Sequence, residues 1–202
     1  MEKIKEIVRK ILSADDTKMK KHFKKRTQYH INLVNKYLDK IADLHFPEID
    51  NDLLKRDSHD KSKFEEPEYT PYLHVNWKNK LKDEGKIYTP SKEIEENMLI
   101  ATFHHVKHNK HHPEFWDDTA TLESINPKDR DSAPEKMVNA TKMPLTHVAQ
   151  MVADWTAMNE EKNKDKNSER YSAKDWADKN INVRWMFSPT QVKFIYKIIG
   201  LI

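Results

Sequence analysis

Five of the chain's eleven histidines fall within nine residues, His104-His105-Val106-Lys107-His108-Asn109-Lys110-His111-His112. Imidazole ligates metals in its neutral form and changes charge near neutrality, so such a run suits coordination or proton transfer. A doublet, His59-Asp60, lies upstream, and downstream Asp154 interrupts an apolar stretch. Asp154 shares a helical face with His147, Met151 and Met158. A carboxylate there needs a cation or strong donors, because an unpaired buried one costs several kcal/mol. With no cysteine in the chain, these nitrogen and oxygen donors point to a catalytic metal centre and away from a structural zinc knot. A single histidine on an apolar helix face, such as His30, is usually a packed core residue. What gives it weight is its place in the order His30, His59-Asp60, His105, His111-His112, Asp154.

The elements that must position these groups read as helices. The 202 residues suffice for one domain with a real core, and only two are glycine. Hydrophobic residues make up 37% and charged residues 34%, so a folded chain with a heavily charged surface is expected, not a disordered one. Ile4, Ile7, Val8, Ile11 and Leu12 mark a short amphipathic helix over residues 2–13, peripheral to the domain. Asp15, Asp16 and Thr17 offer caps for a second, long helix to about Leu44, with Phe23, His30, Leu33, Val34, Tyr37, Leu38, Ile41 and Leu44 on its inner face. Pro47 suits the first turn of another helix, through Leu53 and Leu54 toward the doublet.

Residues 65–90 hold Pro67, Pro71, Gly85 and Pro90 and read as an irregular loop. Its Tyr69, Tyr72, His74 and Trp77 either cover a site and stack on a base or pack on the helices. Ser91 then caps a helix with acids in its first turn, and that helix delivers the histidine cluster before Pro113. Residues 117–142 are turn-rich, and Pro144 opens the helix that carries Asp154. A charged loop over 159–170 leads to a C-terminal helical extension, 171–202, with a short helix at 174–178 and a last one from Ser188-Pro189. Trp116, Trp176 and Trp185 are expected to fill the core. The predicted architecture is all-α, one domain over residues 1–202.

Charge and targeting signals narrow the partners. The net charge of +3 conceals a basic N-terminal segment, whose first 40 residues hold 12 Lys and Arg against 5 Asp and Glu. The run Lys20–Arg26 reads as a solvated helix face; a nucleic-acid role is not favoured, because interleaved aromatic residues are nearly absent. No apolar run is long enough to cross a bilayer and no signal-peptide core is visible. With no cysteine, a soluble cytoplasmic protein is expected.

The ligand order resembles the HD superfamily of helical metal-dependent phosphohydrolases. His30, His59, Asp60 and Asp154 match that superfamily's one-metal core, and His105 with His112 match the ligands added in its two-metal members. The segments His59-Asp60-Lys61-Ser62-Lys63-Phe64, His105-x-x-x-Asn109-x-His111-His112-Pro113, and Met143-Pro144 through Asp154-Trp155 look like an uncharacterised family of small helical proteins from phages and bacteria. This resemblance spans roughly residues 28–160. One departure is the polar stretch Lys55-Arg56-Asp57-Ser58, where typical members are apolar.

The resemblance implies an HD-like bundle around one or two divalent ions, chosen among Mn, Fe, Co, Ni and Zn, with Mg a poorer fit. Asp60 is then the bridging ligand, and Lys63 the cation for substrate phosphate, with Lys107, Lys110 and Arg26 as further candidates. His111 is a ligand, an outer donor or a general acid. His104 and Asn109 stand behind the ligands, and His147 donates to Asp154. The cluster holds more histidines than the ions need, which leaves His104, His105 and His108 as alternatives; Asn109 and Pro113 break the helix and let His105 and His112 converge. The expected reaction is hydrolysis of a nucleotide or other small phosphoester, in the host cytoplasm if the gene is a phage's. Two other readings stay open: a di-iron oxygenase built on the same ligand order, and a non-catalytic factor that binds a nucleotide or a host protein.

Overall fold

Neither glycine nor proline occurs in the first 46 residues, and one helix, α1, runs without a break over Glu2–Asp43. The expected division at Asp15-Asp16-Thr17 is absent. Each of these residues costs only about 0.7 kcal/mol inside a helix, and Asp16 pairs with Lys20 one turn on at 2.8 Å. The helix ends at Asp43, so Leu44 falls outside it and is exposed, contrary to expectation. The computed structural model describes residues 2–54, 59–125, 134, 136–164 and 172–202, with side chains from residue 16 onward. The polar stretch 55–58 and the second half of the expected loop 159–170, residues 165–170, therefore lie outside the described residues.

Pro47 does not open a helix; residues 47–54 form successive turns. Asp50 explains why, since its Oδ1 accepts from the backbone N–H groups of Asp52 and Leu53 and competes with helical bonding. The segment read as a loop over 65–90 contains a second helix, α2, over Tyr69–Asp83. Proline misled that reading. Pro67 precedes the helix, and Pro71 sits in its first turn, where a missing N–H forfeits no bond. The true stop is Gly85, at φ 71°.

From Ser91 on, the elements follow the sequence signals. Helix α3 covers Lys92–His108, and Ser91 accepts from the Ile94 N–H at its start. Helix α4 covers Leu145–Asn163, so Glu160 and Glu161, expected in a loop, are helical. Helices α5 (Ala173–Asn180) and α6 (Pro189–Ile199) follow. Among the described residues one short strand pair stands beside the helices: β1 (Val138–Asn139) pairs in parallel with β2 (Trp185–Met186). The all-α class holds.

Two apolar clusters form the interior. In the larger, Val34, Leu38 and Ile41 of α1 meet Val148, Met151 and Val152 of α4 and Ile195 and Ile198 of α6. The smaller joins Met19 and Phe23 of α1 to Tyr72, Leu73 and Trp77 of α2 and Ala101 of α3. Tyr72 and Trp77 are thus packed, which settles the aromatic segment mainly as core. Trp185 is buried in the larger cluster, with Trp116 and Trp176 packed against it. On α1, His30 lies between the residues of the two clusters, where a polar layer crosses the molecule. Among the described residues no helix is long and apolar enough to cross a membrane.

Candidate metal centre

Five segments deliver the polar layer: α1 brings His30, the turn before residue 61 brings His59 and Asp60, α3 brings His105, the segment after it His111 and His112, and α4 Asp154. Their donor atoms form two groups. Those of His30, His59 and Asp60 all lie within 4.8 Å of one another, as do those of His105, His111 and His112. Asp154 completes the first group, its Oδ1 2.9 Å from His30 Nε2 and 3.7 Å from His59 Nε2.

Asp60 stands between the groups. Its Oδ2 is 3.7 Å from His30 Nε2 and 3.8 Å from His59 Nε2, while Oδ1 is 3.3 Å from His105 Nε2. The His59 and His111 rings, one from each group, are 4.3 Å apart. All six residues expected as ligands are therefore together, and His111 joins them.

Local geometry explains the convergence. Asp60 has left-handed backbone angles, φ 58° and ψ 14°, a conformation that aspartate tolerates better than most residues. Its carbonyl accepts from Lys63 N–H and starts a 3-10 turn over Lys61–Phe64, which brings Lys63 Nζ to 2.5 Å from Asp60 Oδ2. Helix α3 stops at His108 as expected, and Asn109 donates from Nδ2 back to the His105 carbonyl at 2.8 Å. Pro113 begins another 3-10 turn, Pro113–Trp116. Lys107 ties that turn down, its Nζ donating to the carbonyls of Glu114 and Asp117 at 3.1 and 2.9 Å.

Residues 19–201 match a family of unknown function, DUF5662. The chain belongs to this family. No curated protein and no solved structure matches it. In this DUF5662 chain the match takes in every residue of the centre and also the C-terminal helices α5 and α6.

Behind the donor atoms lie two glutamates that sequence reasoning missed. Glu68, fully buried, accepts from His104 Nδ1 through Oε1 and from His105 Nδ1 through Oε2, both at 2.8 Å. Glu161 Oε2 is 3.5 Å from His30 Nδ1, and its Oε1 takes the Arg26 Nε–H at 2.9 Å. Glu161 had a signal, because it follows Asp154 by two helical turns on the same face. Glu68 had none, being one of 33 acidic residues whose partners are distant in the chain.

Three expected roles need correction. His147 does not reach Asp154; two turns away, its Nδ1 bonds to Gln150 Oε1 at 2.7 Å and its ring lies on Trp116. Lys107 is committed to backbone carbonyls, and Arg26 to Glu161. His104 and Asn109 do stand behind the donors, as expected, and Lys110 is exposed.

The electrostatics of the DUF5662 centre favour ionised carboxylates at Asp60 and Asp154 and neutral imidazoles at His111 and His112. Burial works against the charge on Asp60, but Lys63 and His59 hold its carboxyl well below the usual range. Burial likewise opposes ionisation of Asp154, and hydrogen bonds from His30 and His59 outweigh it. Burial pushes His111 and His112 well below the usual imidazole value, toward the neutral form that ligates metals. His30 is the exception, raised to about 9 against burial by Asp154 and Glu161. Lys63 and His30 both offset these carboxylates, and His30 must give up its Nε2 proton to serve as a donor to an ion.

Proposed function

We propose that this chain is a metal-dependent phosphohydrolase that binds two divalent transition-metal ions and cleaves a small phosphoester. The observation that carries the reading is the pair of three-donor groups meeting at Asp60, with the Lys63 ammonium on the same carboxylate. The donors fit such ions. Among the described residues, His111 Nε2 and His112 Nε2 are buried without a hydrogen-bond partner, whereas buried polar atoms of folded proteins usually have one. Imidazole nitrogens and carboxylates suit Mn, Fe, Co, Ni or Zn better than Mg.

His30, His59 and Asp154 would hold one ion and His105, His111 and His112 the other, with Asp60 within reach of both groups. His111 is assigned as a ligand and not as a general acid, because one of its ring nitrogens lies within 4.8 Å of the donors of His105 and His112. When bound, such a pair supplies Lewis acidity for a phosphoryl oxygen and a water acidic enough to attack at neutral pH. Lys63, whose Nζ lies 2.5 Å from Asp60 Oδ2, would offer a substrate phosphate a point charge at the centre. A nucleotide is the first substrate class to screen, since it offers a phosphoester of suitable size.

The test is elemental analysis of protein purified without added metal or chelator, beside a screen for phosphate release from nucleotides with Mn, Co and Mg. About two ions per chain and metal-dependent release are expected. Two irons without hydrolysis would replace this reading with the oxygenase chemistry; no metal under any condition would sink both. Lys63→Ala should raise KM about tenfold, the loss of one charge contact worth about 1.4 kcal/mol, with metal content unchanged. Wild-type kinetics in that variant would return Lys63 to a purely structural role.

A further inference from the structure

The two donor groups have separate supports. Each contains one histidine whose far ring nitrogen faces a glutamate, but the glutamates differ in every other respect. Glu161, behind His30, shares its charge with Arg26 through contacts of 2.9 and 3.4 Å. Glu68, behind His105, takes no lysine or arginine in any bond described for it; its donors are His104, His105 and the Ser62 hydroxyl, the last at 3.0 Å.

Three segments meet at this carboxylate. Glu68 itself precedes α2, Ser62 lies in the 3-10 turn that follows Asp60, and both histidines are on α3. An acceptor at 2.8 Å from Nδ1 requires that nitrogen to carry the proton of a neutral His105. Asn109 Nδ2, 3.2 Å from the same nitrogen, cannot then donate to it and bonds instead to the His105 carbonyl and to Ser62 Oγ. Only Nε2 of His105 remains for an ion, and it is the atom that lies 3.3 Å from Asp60 Oδ1.

We infer that Glu68 is the positioning residue of the second ion: it fixes the tautomer and ring angle of His105 and so sets occupancy of the His105/His111/His112 group, without acting on the His30/His59/Asp154 group. The inference rests on the two-ion reading. Carboxylates behind a metal-bound imidazole raise its basicity, and losing one typically costs 10–100-fold in affinity. Here the cost falls on one ion of two, because no bond described for Glu68 reaches the first group. Centres of this kind can then exist in a singly loaded form, with Glu68 deciding how much of it is present.

The experiment is a Co²⁺ titration of chelator-stripped full-length protein, read by visible absorption and by bound metal after desalting. Wild type should take up two ions per chain. Glu68→Gln, which keeps the shape but offers one acceptor oxygen instead of two, should retain the first uptake and weaken the second by about 10–100-fold. Glu161→Gln should do the converse and spare the second. Two ions bound by Glu68→Gln with wild-type affinity would overturn the inference while leaving the two-ion reading intact. Failure of wild type to bind Co²⁺ would instead overturn that reading and the inference with it. Should Glu68→Gln not fold, Glu68→Asp keeps the charge and draws the carboxylate back from His105 Nδ1 by one methylene. A weakened second uptake in it supports the inference, and an unchanged one rejects it.

Discussion

If the centre is the proposed two-ion phosphohydrolase, Asp60→Asn should strip both ions from the protein and slow phosphoester hydrolysis by about a thousandfold, the equivalent of roughly 4 kcal/mol of lost charge stabilisation. Asparagine is the informative substitution. It tolerates the left-handed backbone at φ 58°, whereas alanine would add about 1–2 kcal/mol of strain to the loss of the carboxylate. The same change leaves Lys63 without its counterion, in a place where only 17% of its side chain is exposed. Removing one partner of a buried pair costs about 3–5 kcal/mol, so the metal-free variant should unfold at lower urea than metal-free wild type. Metal analysis and a urea titration in chelator read the two effects separately. If Asp60→Asn kept either ion at wild-type affinity, the carboxylate would not be shared, and the central assignment would fall.

Trp185→Ala should be the costliest of the core substitutions considered. The ring is 6% exposed, stacks on Trp155 with centroids 5.5 Å apart, meets Trp176 edge-on at 6.4 Å, and has the Arg184 guanidinium 4.9 Å from its centroid. Truncating a buried tryptophan costs about 3–5 kcal/mol, which in a domain of this size lowers Tm by roughly 10 °C. Its indole N–H also donates to Glu114 Oε1 at 2.8 Å, and Glu114 follows directly on His111-His112-Pro113. Trp185→Phe keeps most of the packing and removes that bond alone. It should cost about 1–2 kcal/mol and loosen the segment that carries two donors. Thermal unfolding of both variants checks the order; a Trp185→Ala loss below about 1 kcal/mol would show that the ring is not a core element.

Much of this was readable from the chain because the signals were local. Ser91 with acids after it marked α3, Pro144 marked α4, and Ser188-Pro189 marked α6, each by satisfying or excusing the free N–H groups of a first helical turn. The donor order was readable for a different reason, that histidine and aspartate are rarely placed on apolar faces without partners. Errors arose where a local signal had a second meaning. Asp15, Asp16 and Thr17 cap helices but also continue them at small cost. Pro67 and Pro71 break helices in mid-course but open them at the start. Glu68 stayed invisible because its role exists only when the turn after Asp60, the start of α2 and the end of α3 have come together.

The donors' distribution along the chain has a consequence for folding. His30 and Asp154 come from opposite parts of the sequence and become neighbours only after α1 and α4 have docked, whereas His104, His105, His108, His111 and His112 stay close in any conformation. An unfolded chain therefore already presents a local chelator, and a ligand that also binds the unfolded state stabilises the native one only by the difference between its two affinities. On the proposed two-ion reading, free Zn²⁺ or Ni²⁺ present during refolding would compete for the same imidazoles before their proper neighbours arrive. Ions supplied after the helices have assembled meet a centre whose geometry is already set.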